Sequence, residues 1–278
     1  QSGLDQFTIQ NELTRFILAN DYNCFGFNQG KFVHSHEGEF DAVKSSLIRE
    51  HNLYDNPLVC TTGVDQTTFA LAESNVRDYS GAWFTGTGSG ENGVEIRLTH
   101  SVDNRPDGSN YASVRAKMPA NGFNTPWRVI MVGDTPGKLT ESSLIAMLGE
   151  PTQIKDTSWI KPGKTAWDWW NDSQVAFPKG ATATKPGMNT DTYKAYIDFA
   201  ATLGLEYILI DEGWHQGSTT TSKPGSDLLK PVPAMDMPAI LKYAKDKKVG
   251  VWVWLQWKQL DWQMGEALAA YEKWGIKG

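Results

Sequence analysis

The sequence predicts a β-sandwich followed by the first part of a (β/α)8, or TIM, barrel, because the hydrophobic period changes halfway along the chain. Short segments of the first half alternate apolar with polar or small side chains, which is typical of strands with one wet face. In the second half, segments with helical spacing alternate with short apolar runs, which favours a parallel α/β architecture. The tryptophans follow the same division, since ten of the twelve lie between positions 159 and 274.

Strands are predicted over residues 67–71, 94–98, 113–118 and 127–132. Turn-forming stretches at 85–90, 103–108 and 121–122 separate them, and such punctuation suggests an antiparallel sandwich. A short helix is predicted over 141–148, because Leu144, Ile145 and Leu148 fall on one face and Gly149 follows them. We therefore expect a sandwich domain over 1–138, incomplete at its start, and a helical linker over 139–157.

The remainder, 158–278, is predicted to be the first half of a catalytic barrel. A helix over 191–203 that stops at Gly204 precedes the apolar run Tyr207–Ile210, which suits a parallel strand buried on both faces. A helix over 238–246 and a strand over 249–255 repeat the unit, and a third helix stops at Gly275. A complete barrel takes about 250 residues. The segment holds about three strand–helix units, so we expect a piece of a longer protein that is cut within its barrel.

The composition excludes several partners. The formal net charge is −6, from 26 basic and 32 acidic side chains, and no Lys/Arg run is present, which argues against nucleic acid or an anionic membrane surface. No apolar run reaches the roughly 18 residues of a membrane-spanning helix. Cys24 and Cys60 are too few for a disulfide scaffold and lack zinc-site spacing. Whether they are paired or free stays open.

Tryptophan content and strand ends together indicate a carbohydrate site. Flat indole faces stack on the C–H faces of sugar rings, although indoles also fill cores wherever they are buried. In a barrel the working residues lie at the carboxyl ends of the strands. Five residues would lie there: Asp211, Glu212, Trp214, Gln256 and Trp257.

Longer motifs in a fixed order resemble glycoside hydrolase family 97, over most of residues 53–278. The resemblance implies a bacterial, exo-acting hydrolase that removes α-linked glucose or galactose and binds calcium close to its catalytic centre. It also implies a sandwich joined to a barrel and a small C-terminal β-domain. The motifs are TPWRVI (125–130), DTSWIKPGK (156–164), WDWW (167–170), NTDTYK (189–194), LEYILIDEGW (205–214) and YEKWGIKG (271–278).

The resemblance favours the retaining, α-galactosidase-like branch, on residues 159–164, 167–170 and 210–214. In that branch the nucleophile ends the strand that would begin just after Gly278, and the acid comes later. We therefore expect an inactive fragment whose partners are an oligosaccharide or α-galactoside and the remaining part of the same polypeptide. A periplasmic or secreted location in a bacterium is expected. The alternative is an inverting α-glucosidase with Glu212 as base.

Site residues follow from the same comparison. Glu73 resembles the glutamate that the sandwich sends to the calcium ion, and the alternative is a strand-end glutamate in water. Asp211 and Glu212 are expected to hold sugar hydroxyls, against a structural ion pair. Asp168, beside Trp167, is expected to accept hydrogen bonds from a sugar, against a capped strand end.

The remaining candidates for substrate binding are Trp167, Trp214, His215, Trp254 and Trp257. Trp254 and Trp257 are three residues apart, so they point to different sides and at most one is expected to face substrate. Two other classes of protein stay open. The tryptophans also suit a carbohydrate-binding module without chemistry. An α/β enzyme with a phosphate-bearing ligand is disfavoured because no glycine-rich phosphate loop follows a strand.

Overall fold

The computed structural model describes residues 6–9, 11–31, 36–63, 67–77, 79–99, 114–117, 124–177, 179–220 and 223–278. The chain divides into two compact units, Gln1–Lys155 (unit 1) and Asp156–Gly278 (unit 2). The predicted turns at 103–108 and 121–122, and both ends of the predicted strand 113–118, lie outside the described residues. None of the helices in the described part of the chain is long and apolar enough to cross a membrane.

Unit 1 is rich in antiparallel sheet. The strands are β1 Gln6–Ile9, β2 Arg15–Ile17, β3 Asn23–Gly26, β4 Asp41–Lys44, β5 Leu58–Thr61, β6 Thr68–Ser74, β7 Ala82–Gly86, β8 Gly93–Leu98, β9 Val114–Lys117 and β10 Trp127–Gly133. A five-stranded sheet has the order β10-β6-β5-β3-β4, a three-stranded sheet has the order β2-β8-β7, and β1 pairs with β9.

The two larger sheets of unit 1 share one hydrophobic core. Leu58 and Leu71 from the five-stranded sheet pack in the same cluster as Phe84, Val94 and Ile96 from the three-stranded sheet. Alternate side chains of a strand point to the same face, which places these residues on the inner faces of the two sheets. Burial of this shared face holds the two sheets together.

Cys24 and Cys60 form a disulfide within that core. The two residues lie directly opposite each other on the antiparallel strands β3 and β5. Both side chains are fully buried. The strand register therefore answers the question of pairing that composition left open.

Two short helices, α1 Pro136–Thr140 and α2 Leu144–Met147, follow β10. The sequence predicted one helix over 141–148, but a break at 141–143 separates two. Leu139, Leu144, Ile145 and Leu148 pack against a second cluster on the outer face of β6 and β10. Residues of the predicted linker are thus packed onto the sheet of unit 1.

Unit 2 alternates strands with helices, as its hydrophobic period predicted. Strands β11 Thr165–Trp167, β12 Tyr207–Ile210 and β15 Gly250–Val253 form a parallel sheet in the order β11-β12-β15. The helices are α3 Thr190–Leu203, α4 Met237–Lys247 and α5 Trp257–Trp274. The Asn189 side chain caps α3 by accepting from the Thr192 amide, and Gly204 ends it with φ of 66°.

A two-stranded hairpin, β13 His215–Gln216 and β14 Asp227–Pro231, was not predicted. Its first strand has two residues, which is too short to show a hydrophobic period. Leu228 of β14 is fully buried in the core of unit 2, beside Ile208, Ile210 and Ile240. The Tyr271 hydroxyl donates to the Leu228 carbonyl oxygen at 2.8 Å and fixes the hairpin on α5.

Replacing both Cys24 and Cys60 with alanine is expected to lower the free energy of unfolding of unit 1 by about 2–4 kcal/mol, because the crosslink restricts the unfolded chain. Urea titration followed by circular dichroism measures the loss. The wild type in dithiothreitol is the control and should lose the same amount, whereas the reductant should not change the double variant. Equal midpoints for wild type and double variant would contradict the prediction.

Candidate active site

The carboxyl ends of the parallel strands bring the candidate residues of unit 2 to one edge of the sheet. Asp168 directly follows β11, Asp211 and Glu212 follow β12, and Trp254 follows β15. Because the strands are parallel and paired in register, their ends meet at the same edge. Asp168, Asp211, Glu212 and Trp254 therefore lie at the same edge of this sheet.

Asp168 is a buried carboxylate with two donors. The residue is only 2% exposed. The Tyr193 hydroxyl donates to Oδ2 at 2.7 Å, and the Asp211 amide donates to Oδ1 at 3.2 Å. Both oxygens thus have protein partners, and the interaction links the ends of β11 and β12 to α3.

Burial raises the pKa of Asp168, and the nearby charge of Asp211 raises it further, although the Tyr193 hydrogen bond acts to lower it. Burial and the charge of Asp168 also raise the pKa of Tyr193. The Tyr193 hydroxyl therefore keeps its proton and remains a donor. Asp168 therefore takes up a proton on acidification more readily than a carboxyl group in water does.

Asp211 orients an aromatic cluster. The Trp167 indole donates from Nε1 to Asp211 Oδ2 at 2.7 Å, and the Glu212 amide donates to Oδ1 at 2.7 Å. Trp167 in turn stacks with Trp169 and Trp170, at ring-centroid distances of 5.1 and 6.2 Å. The carboxylate thus holds the indole edge, while the cluster offers aromatic faces.

Trp169 and Trp170 are the functional candidates that sequence reasoning missed. They are 63% and 78% exposed, and large exposed indoles are unfavourable in water unless a ligand or partner covers them. The signal was present in the WDWW motif, from which only Trp167 was selected. A strand–turn pattern in the sequence does not show which of the three tryptophan side chains is exposed to solvent.

Glu212 is half-buried, and its carboxylate has no hydrogen-bond or ion-pair partner among the described residues. The next residue, Gly213, has φ of 109°, a conformation that favours glycine. The Gly213 amide donates to Ser218 Oγ at 2.8 Å. The turn therefore presents Glu212 as an available acceptor beside the better-satisfied Asp211.

Trp214 and His215 are buried in unit 2. Trp214 is fully buried, and its Nε1 donates to the Trp254 carbonyl oxygen at 2.9 Å. His215 is 1% exposed and packs edge-on against Trp214. The sequence predicted substrate contacts for both. The hairpin turns the chain back at this point and directs the two rings inward.

Trp254 and Trp257 differ in exposure. The Trp254 amide donates to the Ile210 carbonyl oxygen at 2.8 Å, and the residue is half-buried. Trp257, the first residue of α5, is 60% exposed, with the Lys258 ammonium 5.3 Å from its ring centroid. Trp257 is the more accessible of the two to a ligand.

Glu73, the predicted calcium ligand, belongs to a buried ion-pair network in unit 1. Arg128 donates to Glu73 and, at 2.7 and 2.8 Å, to both oxygens of Glu12. The Ala82 amide also donates to Glu73, at 3.1 Å to Oε1. Burial raises the pKa of Glu73, although Ala82 and Arg128 favour its charged form.

These residues do not by themselves make up a calcium site. Calcium takes six to eight oxygen ligands, and no group of three His, Cys, Asp or Glu side chains suited to a metal occurs in the described part of the chain. The guanidinium of Arg128 already neutralises the Glu73 carboxylate. No catalytic step is therefore assigned to calcium.

Known proteins are similar to the whole chain. Residues 1–151 match the family model "Glycosyl-hydrolase 97 N-terminal", and residues 169–278 match "Glycoside hydrolase 97". A "Retaining alpha-galactosidase" of Bacteroides thetaiotaomicron is 31% identical over 292 residues, which cover 99% of this chain and 42% of the relative. A "Probable retaining alpha-galactosidase" of Streptomyces bingchenggensis is 31% identical over 56% of this chain and 23% of the relative.

A solved structure has a similar fold. It is a glycoside hydrolase family 97 enzyme from Pseudoalteromonas sp. strain K8 in complex with acarbose, with a TM-score of 0.75 and 25% identity. The similarity covers 99% of this chain and 40% of that one. The chain thus spans about two fifths of the length of the Bacteroides relative and of this enzyme.

The difference in free energy of unfolding between Asp168→Asn and wild type is expected to shift in favour of the variant as pH rises from about 4 to 7. The raised pKa means that the folded state binds the proton more tightly than the unfolded state. Wild-type stability therefore falls above the unfolded pKa, by about 1.4 kcal/mol for each unit between the two pKa values. Urea unfolding of both proteins across this pH range measures the difference.

Two tyrosine variants test the cause. Tyr193→Phe removes the hydrogen bond that lowers the Asp168 pKa, so its loss of stability with rising pH should be steeper than in wild type. Tyr196→Phe, on the same helix but bonded to Asn171, is the matched control and should follow wild type. Parallel pH profiles for Asp168→Asn and wild type would contradict the assignment.

Proposed function

Because the chain belongs to glycoside hydrolase family 97, we propose that it is part of a bacterial exo-acting α-glycosidase that removes terminal α-linked galactose with retention of configuration. The observation that carries this proposal is the 31% identity to a curated retaining alpha-galactosidase over 99% of the chain. The alternating strands and helices of unit 2 and its strand-end carboxylates support it.

The chain is proposed to be a part of the enzyme. It covers 42% of the Bacteroides relative, and the described part of unit 2 has three parallel strands in one sheet, whereas a (β/α)8 barrel has eight. Unit 2 is accordingly proposed to be the start of such a barrel, and unit 1 a β-sandwich. The nucleophile and the general acid are proposed to lie in the remaining polypeptide.

Each group at the sheet edge has a part in sugar binding under this proposal. Glu212 offers an acceptor without a partner among the described residues, so it can accept hydrogen bonds from sugar hydroxyls. Asp211 holds the Trp167 indole, and the exposed Trp169 can stack on a ring. Asp168 acts indirectly, because its oxygens fix the Asp211 amide and the Tyr193 hydroxyl.

The geometry of retention requires two carboxyl groups about 5–5.5 Å apart, so that one attacks the anomeric carbon while the other protonates the leaving oxygen. Inversion leaves about 6.5–9.5 Å for a water molecule. In the retaining assignment Glu212 binds substrate and does not attack. Its role therefore depends on the stereochemistry of the reaction.

The second candidate is an inverting α-glucosidase in which Glu212 is the base. It is favoured by one observation, the half-buried Glu212 carboxylate without a partner among the described residues. A base needs an acceptor free to take a proton from water. A non-catalytic carbohydrate-binding protein is the third candidate, and turnover by the complete protein excludes it.

A periplasmic or secreted location is proposed as well. The Cys24–Cys60 disulfide supports it, because disulfides persist in oxidising compartments and are rare in the cytosol of mesophiles.

Calcium is the cofactor proposed for the complete enzyme. Most of its oxygen ligands would come from the remaining polypeptide. Glu73 would contribute Oε1, since Arg128 bonds the other oxygen. The ion would supply positive charge near the carboxylates. Within this chain, Glu73 orders Arg128 whether or not calcium is bound.

The complete enzyme is expected to release galactose from an aryl α-galactoside with the α-anomer appearing first. Proton NMR during the first minutes of hydrolysis distinguishes the anomers before mutarotation. Residues 1–278 alone are the control and should show no turnover, because glycosidase chemistry needs a pair of carboxyl groups flanking the bond. Early β-anomer, or a clear preference for α-glucosides, would assign the enzyme to the inverting branch and make Glu212 its base.

Chelation is expected to abolish activity of the complete enzyme, and added Ca²⁺ should restore it. Glu73→Gln should weaken that recovery. Glu12→Gln removes the other carboxylate partner of Arg128 but not the proposed ligand, so it should recover as wild type does. Tight binding of Ca²⁺ by residues 1–278 in titration calorimetry would show a local ligand set and contradict the assignment.

A further inference from the structure

We propose that a surface cavity of unit 1 binds a neutral saccharide unit by stacking it on Trp127. The cavity has a volume of about 740 Å³ and is lined only by residues of unit 1. It lies where β6 ends, β10 begins and the chain leaves α2. Its volume is within the roughly 300–1,000 Å³ of small-molecule sites.

Trp127 provides the stacking surface. It is 54% exposed, whereas Val129 and Met131, on the same face of β10, are 5% and 8% exposed. The indole therefore lies at the open end of a face that is otherwise covered by α1 and α2. The π-face of an indole carries negative charge density and meets the polarised C–H face of a pyranose ring favourably.

Polar groups surround the indole where the edge of a sugar ring would carry its hydroxyls. Arg77 donates from Nε to Asn75 Oδ1 at 3.2 Å, which orients the amide and leaves Asn75 Nδ2 without a partner among the described residues. Thr125 and Glu150 also line the cavity and are exposed. Together they supply both donors and acceptors. A sugar hydroxyl can use both, because it donates one hydrogen bond and accepts others.

The walls of the cavity are held by the fold. Trp127 is paired with Ser74 in the sheet, and Ser74 Oγ donates to the Ile145 carbonyl oxygen at 2.5 Å. That bond fixes α2 against the end of β6. Pro126 and Pro151 on opposite sides further restrict the backbone. A site arranged in advance loses less entropy when a ligand binds.

The lining also favours a neutral ligand over an anion. Its described residues include the Glu150 carboxylate and no Lys or Arg, so a phosphate or a nucleic acid would be repelled. A purely apolar ligand would leave the amide and hydroxyl groups of the rim without partners. A saccharide unit satisfies both conditions, because it has an apolar face and a polar edge.

The test uses ¹⁵N-labelled residues 1–278 titrated with raffinose, a soluble oligosaccharide that ends in α-linked galactose. We expect the Trp127 indole N–H signal, assigned from its loss in Trp127→Ala, to shift and saturate. Trp159→Ala, which removes an indole of similar exposure outside the cavity, should leave this titration unchanged.

Asn75→Gly is the second variant, because glycine keeps the left-handed backbone of position 75, φ 55°, while removing the amide. It should raise the dissociation constant reported by the Trp127 signal at least threefold, which means weaker binding. No shift of that signal, or equal affinity in Asn75→Gly, would overturn the proposal. The result is independent of the proposed hydrolase activity, because Trp169 and Trp170 signals report separately on unit 2.

Discussion

Asp168 and Asp211 end two hydrogen-bonded parallel strands, and the electrostatic cost of burying two neighbouring carboxylates governs the arrangement around them. Each negative charge raises the free energy of the other, so the surrounding groups are donors: the Tyr193 hydroxyl, the Trp167 indole and two backbone amides. Helix α3 is needed to bring Tyr193 to Asp168. The indole cluster is oriented by the same constraint, because Trp167 stacks where its Nε1 can reach Asp211.

Unit 1 contains a comparable pair of neighbouring carboxylates, but here a buried cation lies between them. Arg128, whose side chain is 10% exposed, pairs with both Glu12 and Glu73, each 15% exposed, so removing Arg128 would leave two buried carboxylates without their cation. Arg128 is on β10 opposite Glu73 on β6, so the strand register creates the pair. The adjacent Trp127 points to the other face of β10. One strand thus contributes to the interior network and to the surface cavity.

Much of unit 2 was predictable from sequence, because its signals are local. The apolar run Tyr207–Ile210 is a strand with those bounds, and Gly204 and Gly275 end their helices. The hairpin was missed because its strands pair residues 11 and 16 positions apart and β13 is two residues long. The same hairpin accounts for the burial of Trp214 and His215, and their contacts with substrate stay a prediction.

The sequence by itself determined the alternation of parallel strands and helices in unit 2, the residues at the strand ends and the family resemblance, because these depend on hydrophobic period, caps and contiguous motifs. Only the tertiary structure decided that Cys24 pairs with Cys60, that Glu73 is neutralised by Arg128, and which indoles are buried. The physical reason is the same in each case. Pairing, neutralisation and burial depend on residues far apart in the chain, and neither periodicity nor composition fixes the register that brings such residues into contact.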